Sequence, residues 1–276
     1  MGSFKYICPT RVMSTGCALA LSVWLGAPSA FAAPTLVTFA PQSAGLNGTS
    51  FSATKLNLLD YARVDLGASS NGNTAFTETG YLIVNNVQVG SNTPFNFPVT
   101  GTGYELYIQF TGTGFQSAPT FNGASTGTYN SLTATLYGVN GPATFGLTNE
   151  DSTGTPTGSS VAFVTAGSAP IKLATGSLIN GTTTFTFNPL GAGSNLTVSF
   201  NPVPGFVTSP TNVGLDLSGA FNNNAQIITI ANNGSTFLLN GGGGDASFIS
   251  VPEPASMLVL GSAGLGLGLL RRRRLV

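Results

Sequence analysis

Residues 182–188 read Thr-Thr-Thr-Phe-Thr-Phe-Asn, and residues 195–200 read Asn-Leu-Thr-Val-Ser-Phe. Large apolar side chains fall at every second position: Phe185 with Phe187, then Leu196 with Val198 and Phe200. Small polar side chains take the positions between. Side chains alternate across a strand with a period of two, so this spacing suits a half-buried strand and cannot make one stripe on a helix. Strands are also expected over residues 35–40, 80–89, 104–112, 131–139, 160–166, 225–231 and 235–240. Residues 52–67 are ambiguous in period. Their final alternating Ala-Arg-Val-Asp-Leu decides for a strand. Asn-Gly pairs at 47–48, 122–123, 140–141, 180–181 and 233–234 are read as turns, because both residue types tolerate the positive φ of tight hairpins. Many short strands with regular turn signals predict an all-β fold, an antiparallel β-sandwich or jelly-roll-like single domain.

The charges divide the chain. Lys5 and Arg11 precede the first apolar run, and Arg271 to Arg274 follow the last. Residues 33–250 hold three basic residues (Lys55, Arg63, Lys172) against eight acidic ones, a net of −5. Phosphate neutralisation needs clustered Lys and Arg, so no nucleic-acid partner is expected.

Both ends carry segments with their own logic. Lys5 and Arg11, the apolar residues 12–27 and the small-residue stretch Ala30-Phe31-Ala32 compose a secretory signal, with cleavage before Ala33 by signal peptidase. Cys8 and Cys17 lie within it. The exported body would then hold no thiol and no disulfide. At the other end, the apolar run from Ala255 to Leu270 would span about 24 Å as a helix, short of a hydrocarbon core of about 30 Å. Gly261, Gly264, Gly266 and Gly268 weaken it as a helix. Arg271, Arg272, Arg273 and Arg274 form a stop that stays cytoplasmic, which puts the body outside. A marginal span with a basic stop suits temporary retention.

Directly before this run stands Pro252-Glu253-Pro254. The two prolines lack N–H groups and keep the chain extended, as a peptidase groove requires. Triplet, short apolar segment and arginine cluster together resemble the PEP-CTERM sorting signal of Gram-negative bacteria. The resemblance implies an exosortase as processing partner and transient inner-membrane insertion by the tail. It also implies delivery to the cell surface or extracellular matrix of a bacterium that makes exopolysaccharide. Body segments at 51–66, 76–82, 104–114 and 174–178 resemble flocculation-associated PEP-CTERM proteins. That second resemblance implies a role in floc or biofilm cohesion, with exopolysaccharide as partner. It carries no catalytic residue.

The residue inventory limits chemistry. There is no histidine, which removes imidazole-based triads, imidazole-ligated zinc and the usual proton shuttle. Carboxylates remain, and two held about 5–10 Å apart in a cleft can hydrolyse a glycoside. Glu78, Glu105, Glu150 and Asp216 are the candidates for that rival reading. The alternative is solvent-facing strand residues, and we expect no catalytic site, no metal site and no cofactor. Residues 240–245 and 149–151 are weak calcium candidates. Tyr81, Tyr104, Tyr107 and Tyr137 would stack on sugars if exposed in a row, and otherwise pack in the core or its rim. A third reading is a self-associating structural protein that never touches sugar. The expected order is signal peptide 1–32, β body 33–240, glycine-rich spacer 241–250 and sorting signal 251–276.

Overall fold

The computed structural model describes residues 34–90, 95–96, 103–117, 124–141, 143–150, 156–165, 168–187, 190–211, 213–217, 226–231 and 236–250. The expected signal peptide with Ala30, Ala32 and Ala33 lies outside the described residues. So do the sorting signal, with Pro252, Glu253, Pro254 and the four arginines, and the turns at 122–123 and 233–234.

No α-helix occurs among the described residues. The strands are β1 (Val37–Phe39), β2 (Phe51–Ala53), β3 (Lys55–Ser70), β4 (Asn73–Gln88), β5 (Phe95–Asn96), β6 (Tyr104–Ser117), β7 (Ala124–Asn140), β8 (Ala143–Glu150), β9 (Pro156–Thr165), β10 (Ile171–Phe187), β11 (Leu190–Pro202), β12 (Val207–Ser209), β13 (Val213–Asp216), β14 (Gln226–Ala231) and β15 (Thr236–Ser250). The order β13-β11-β10-β7-β6-β4-β3-β15 is hydrogen-bonded throughout, and β13 also pairs with β15. The sheet therefore closes into an antiparallel ring. β14 runs beside β15 in the same direction as β13, with Gln226 opposite Asn240 and Asp216 opposite Ser247. Together β13 and β14 occupy one interrupted strand position, the eighth of the ring.

The all-β antiparallel class is as expected. The sandwich or jelly-roll connectivity is not. A jelly roll uses Greek-key crossovers, whereas here ring neighbours follow one another along the chain, with β5 and the β8–β9 hairpin as excursions. Long hairpins explain this: β3 and β4 are 16 residues each, and β7 and β10 are 17. Full closure satisfies such strands without a second sheet.

Period-two alternation sets which side faces in. On β3, Leu56, Leu58, Asp60, Ala62 and Val64 are buried, while the residues between are half-exposed. On β4 the inward set runs through Phe76, Glu78, Gly80, Leu82 and Val84. A two-residue turn joins these strands at Asn71-Gly72, where both φ values are positive (52° and 77°). Gly141, after Asn140 at the end of β7, has the positive φ expected (89°), but one expected turn turns out differently. Asn180-Gly181 lies inside β10, beside a register shift between Leu178 and Asn180. Glycine is needed there for space: a Cβ at Gly181 would strike Leu196 and crowd the Tyr129 ring. The expected spacer 241–250 is also strand. Gly242, Gly243 and Gly244 pair with Asp60, Leu59 and Leu58, inside the strand that closes the ring. The body therefore extends to Ser250.

One end of the ring is plugged. The starts of β3, β6 and β10 meet the ends of β4, β7, β11 and β15 there. β1, β2 and β12 form a small sheet at this end, and Phe39 stacks on Phe51 (centroids 4.8 Å apart) and against Phe206 and Phe248. Between the plug and the far hairpins the interior is filled with apolar side chains. A gap lined by Ile108, Leu136, Ala174, Val198 and Leu215 has a volume of about 10 Å³, room for about one water.

Candidate functional site

The junction between body and tail is built at the plugged end. β15 delivers Phe248 into the plug, fully buried, with ring contacts to Phe39 (5.3 Å) and Phe200 (5.9 Å). Its backbone is held on both sides: the Thr35 amide donates to the Phe248 carbonyl at 2.7 Å, and the Phe248 amide donates to the Thr54 carbonyl at 3.0 Å. Ile249 bridges Pro34, and Ser250 lies opposite Val213. Pro34 is the second residue after the expected signal cleavage point, and it meets the closing strand one residue before Ser250. The chain is thus held in sheet register up to Ser250, two residues before Pro252.

A second polar constellation sits inside the ring. The Tyr129 hydroxyl, from β7, donates to Glu78 Oε2 on β4 and lies 3.2 Å from Ser194 Oγ on β11. Ser194 Oγ in turn donates to Thr183 Oγ1 at 3.2 Å. Glycines clear the path for the ring: a Cβ at Gly112 would press on Tyr129, and one at Gly114 would strike Phe76 and the Thr128 carbonyl. Phe76 meets Tyr129 edge-on at 5.1 Å. Burial pushes the Glu78 carboxyl up to about 7, against the downward pull of the Tyr129 hydrogen bond. Asp60 is fully buried, and neither carboxylate oxygen has a hydrogen-bond partner. Burial first, and the neighbouring Glu78 second, hold its carboxyl well above the usual range. A buried carboxyl without a partner keeps its proton, because desolvation penalises only the charged form.

These positions separate the carboxylates proposed for glycoside chemistry. Glu78 faces the sealed interior. Glu105 has the opposite phase on β6, is half-buried on the outer side, and lies opposite Val139. Seven residues separate it from Gly112, which is opposite Glu78, a distance of about 23 Å along the strand. Asp216 is half-buried at the end of β13, and the side chain of Glu150 lies outside the described residues. The acid nearest Glu78 in electrostatic effect is Asp60, which did not enter the sequence reasoning. Its signal was available, because Asp60 falls in phase with Leu56, Leu58, Ala62 and Val64.

The tyrosines divide too. Tyr104 is buried with its ring where a Cβ at Gly48 would stand. Tyr81, Tyr107 and Tyr137 form a row on the outer face, but their rings contact one another: Tyr107 stacks on Tyr137 at 5.3 Å and tilts against Tyr81 at 6.0 Å. Tyr107 is only 3% exposed. Faces engaged in this way are not a platform for sugar rings. Among the calcium candidates, Asp245 forms an ion pair with Lys55 instead. Among the described residues no cluster of three acidic, histidine or cysteine side chains is placed to hold a metal.

Comparison with protein families identifies a PEP-CTERM protein-sorting motif at residues 250–274. No curated protein and no solved structure matches the chain. The resemblance of the body to flocculation-associated proteins therefore has no relative behind it. The motif begins at Ser250, the last residue of the closing strand. It implies an exported protein that is transiently membrane-associated, has an exosortase as processing partner, and ends on the cell surface or outside.

Proposed function

We infer that this chain is a non-enzymatic surface or matrix protein of a Gram-negative bacterium. On this reading it supports floc or biofilm cohesion by lying among exopolysaccharide. The observation that carries the reading is the sorting motif joined without a spacer to a closed barrel. The barrel's outer face supports it. Gln109, Thr111 and Thr113 on β6, Ser131 and Thr133 on β7 and Ser177 on β10 are all exposed. Register sets Thr111 beside Thr133 and Thr133 beside Ser177. No charged residue occurs over 109–117, 124–135 or 175–184. Such a face offers hydroxyls to a sugar polymer without charge repulsion. Self-association by strand pairing is the weaker reading, because β3, β4, β6, β7 and β10 each have partners on both sides.

Two measurements test this. Alanines at Pro252, Glu253 and Pro254 should leave the protein full length and membrane-retained, and normal release would refute sorting through the tail. The purified body should cosediment with the producer's own polysaccharide, with little change on adding salt. No cosedimentation, or binding abolished by salt, would refute contact through the uncharged face.

A further inference from the structure

We propose that the plugged end of the barrel is a membrane-docking surface, seated on the lipid headgroups while the tail is inserted. Leu36 and Val89 make the apolar contact. The proposal rests on the reading that the tail enters the membrane and adds which face of the body meets it.

Two observations carry it. The first is reach. Ser250 is the last residue in register, opposite Val213, and the apolar run begins at Ala255. Five residue steps span at most about 17 Å even when fully extended. About 5–8 Å of that length crosses one headgroup layer, because headgroups and hydrocarbon together measure about 40–45 Å against about 30 Å for the core alone. The sixteen residues of β3 make the barrel about 40 Å tall at ordinary strand tilt. A tether this short holds the plugged end near the bilayer and the Asn71-Gly72 hairpin far from it.

The second is what stands beside the exit. Thr35, Phe248, Thr54 and Gln88 are linked in that order by backbone hydrogen bonds across the plugged end: Thr35 N–H to Phe248 O, Phe248 N–H to Thr54 O, and Thr54 N–H to Gln88 O at 2.9 Å. Leu36 follows Thr35 and Val89 follows Gln88, so the two flank the strand that leads to Ser250. They are 49% and 37% exposed, two of four large apolar side chains that stand out from the described surface. The other two, Phe115 and Ile179, lie on the outer wall. Charges of both signs ring this end: Lys55 paired with Asp245, exposed Lys172 and half-buried Glu105. Asp216, opposite Ser247 at the level of Lys55, brings the net to −1, so the apolar side chains and not charge carry the contact. Apolar side chains projecting from a tethered surface partition into the headgroup–acyl boundary.

The test uses the chain with its signal removed and its tail intact. It is reconstituted in phosphatidylethanolamine/phosphatidylglycerol vesicles that contain a headgroup-spin-labelled lipid. Both native cysteines fall in the signal, so single cysteines take a fluorophore uniquely. Labels at Leu36→Cys and Val89→Cys should be quenched several-fold more than labels at Asn71→Cys or Thr133→Cys. Equal quenching at all four sites overturns the proposal. So does stronger quenching at Thr133→Cys, which would mean that the barrel lies on its side. A chain that stays in solution instead refutes insertion by the tail, and the proposal falls with it.

Discussion

The two buried acids should make the barrel lose stability as pH rises toward neutrality. An unfolded chain releases the Glu78 proton near 4.5, whereas the folded barrel keeps it to about 7. Between those values the native state binds more protons than the unfolded state, so unfolding free energy falls with increasing pH. The contribution is fully present below about pH 4.5 and is lost by about pH 7. At 1.36 kcal/mol per pKa unit, Glu78 accounts for about 3 kcal/mol. Asp60 is shifted in the same direction and steepens the fall. With a urea m-value of about 2 kcal/mol/M, Glu78 alone moves the midpoint by about 1.5 M.

Urea unfolding of residues 33–250 measures this, at intervals between about pH 4 and 8. Circular dichroism is the suitable probe, because the lone tryptophan, Trp24, lies outside these residues. Glu78→Gln keeps an acceptor for Tyr129 but cannot ionise. It should match the parent at acidic pH, exceed it at neutral pH and show a flatter profile. Asp60→Asn should flatten it further. A parent profile that is level or rises from acid to neutral pH would show that these carboxyls ionise freely inside the barrel. The same slope surviving in Glu78→Gln would show that it arises elsewhere.

Four further substitutions probe the packing. Tyr129→Phe removes the donor to Glu78 and the partner of Ser194; it should cost about 1–3 kcal/mol and extend the pH-sensitive range upward, both read from the same curves. Gly114→Ala drives a methyl into the Thr128 carbonyl and the Phe76 ring and should cost about 2 kcal/mol or more. Gly72→Ala meets no atom within 4 Å and should cost only about 1 kcal/mol for its positive φ, so equal losses would refute the steric account. Phe248→Ala empties the plug where it contacts Phe39 and Phe200; thermal unfolding should show a loss of about 3–5 kcal/mol.

Strand identity was legible because alternation is local. Leu196, Val198 and Phe200 point inward from β11 as their spacing requires. Strand length was not, because glycine sends the same signal for opposite reasons. At Asn71-Gly72 it serves a turn, and at Gly181 it clears room for Tyr129 and Leu196. The Gly242–Gly244 run reads as a flexible spacer by composition. Its partners, Asp60, Leu59 and Leu58 on β3, lie far back in the chain, and no local window contains them.

The misreading of Glu78 has the same origin. The sequence leaves Glu78 as a solvent-facing strand residue or a glycoside-site candidate, and only its phase with Phe76 and Leu82 turns it inward. Phase alone would still not settle its chemistry. In an open sandwich, an inward acid near a strand end can reach water through the gap between sheets. A ring of paired strands removes that route, and an apolar lining below it with Phe76 and Tyr129 beside it completes the seal. Closure depends on β15 finding β3, with Ser247 opposite Lys55. The strand that changes Glu78 from a surface candidate into a buried acid with a raised pKa is therefore the same one that ends at the sorting motif. Opening that strand should expose both acids and free the chain upstream of the tail together.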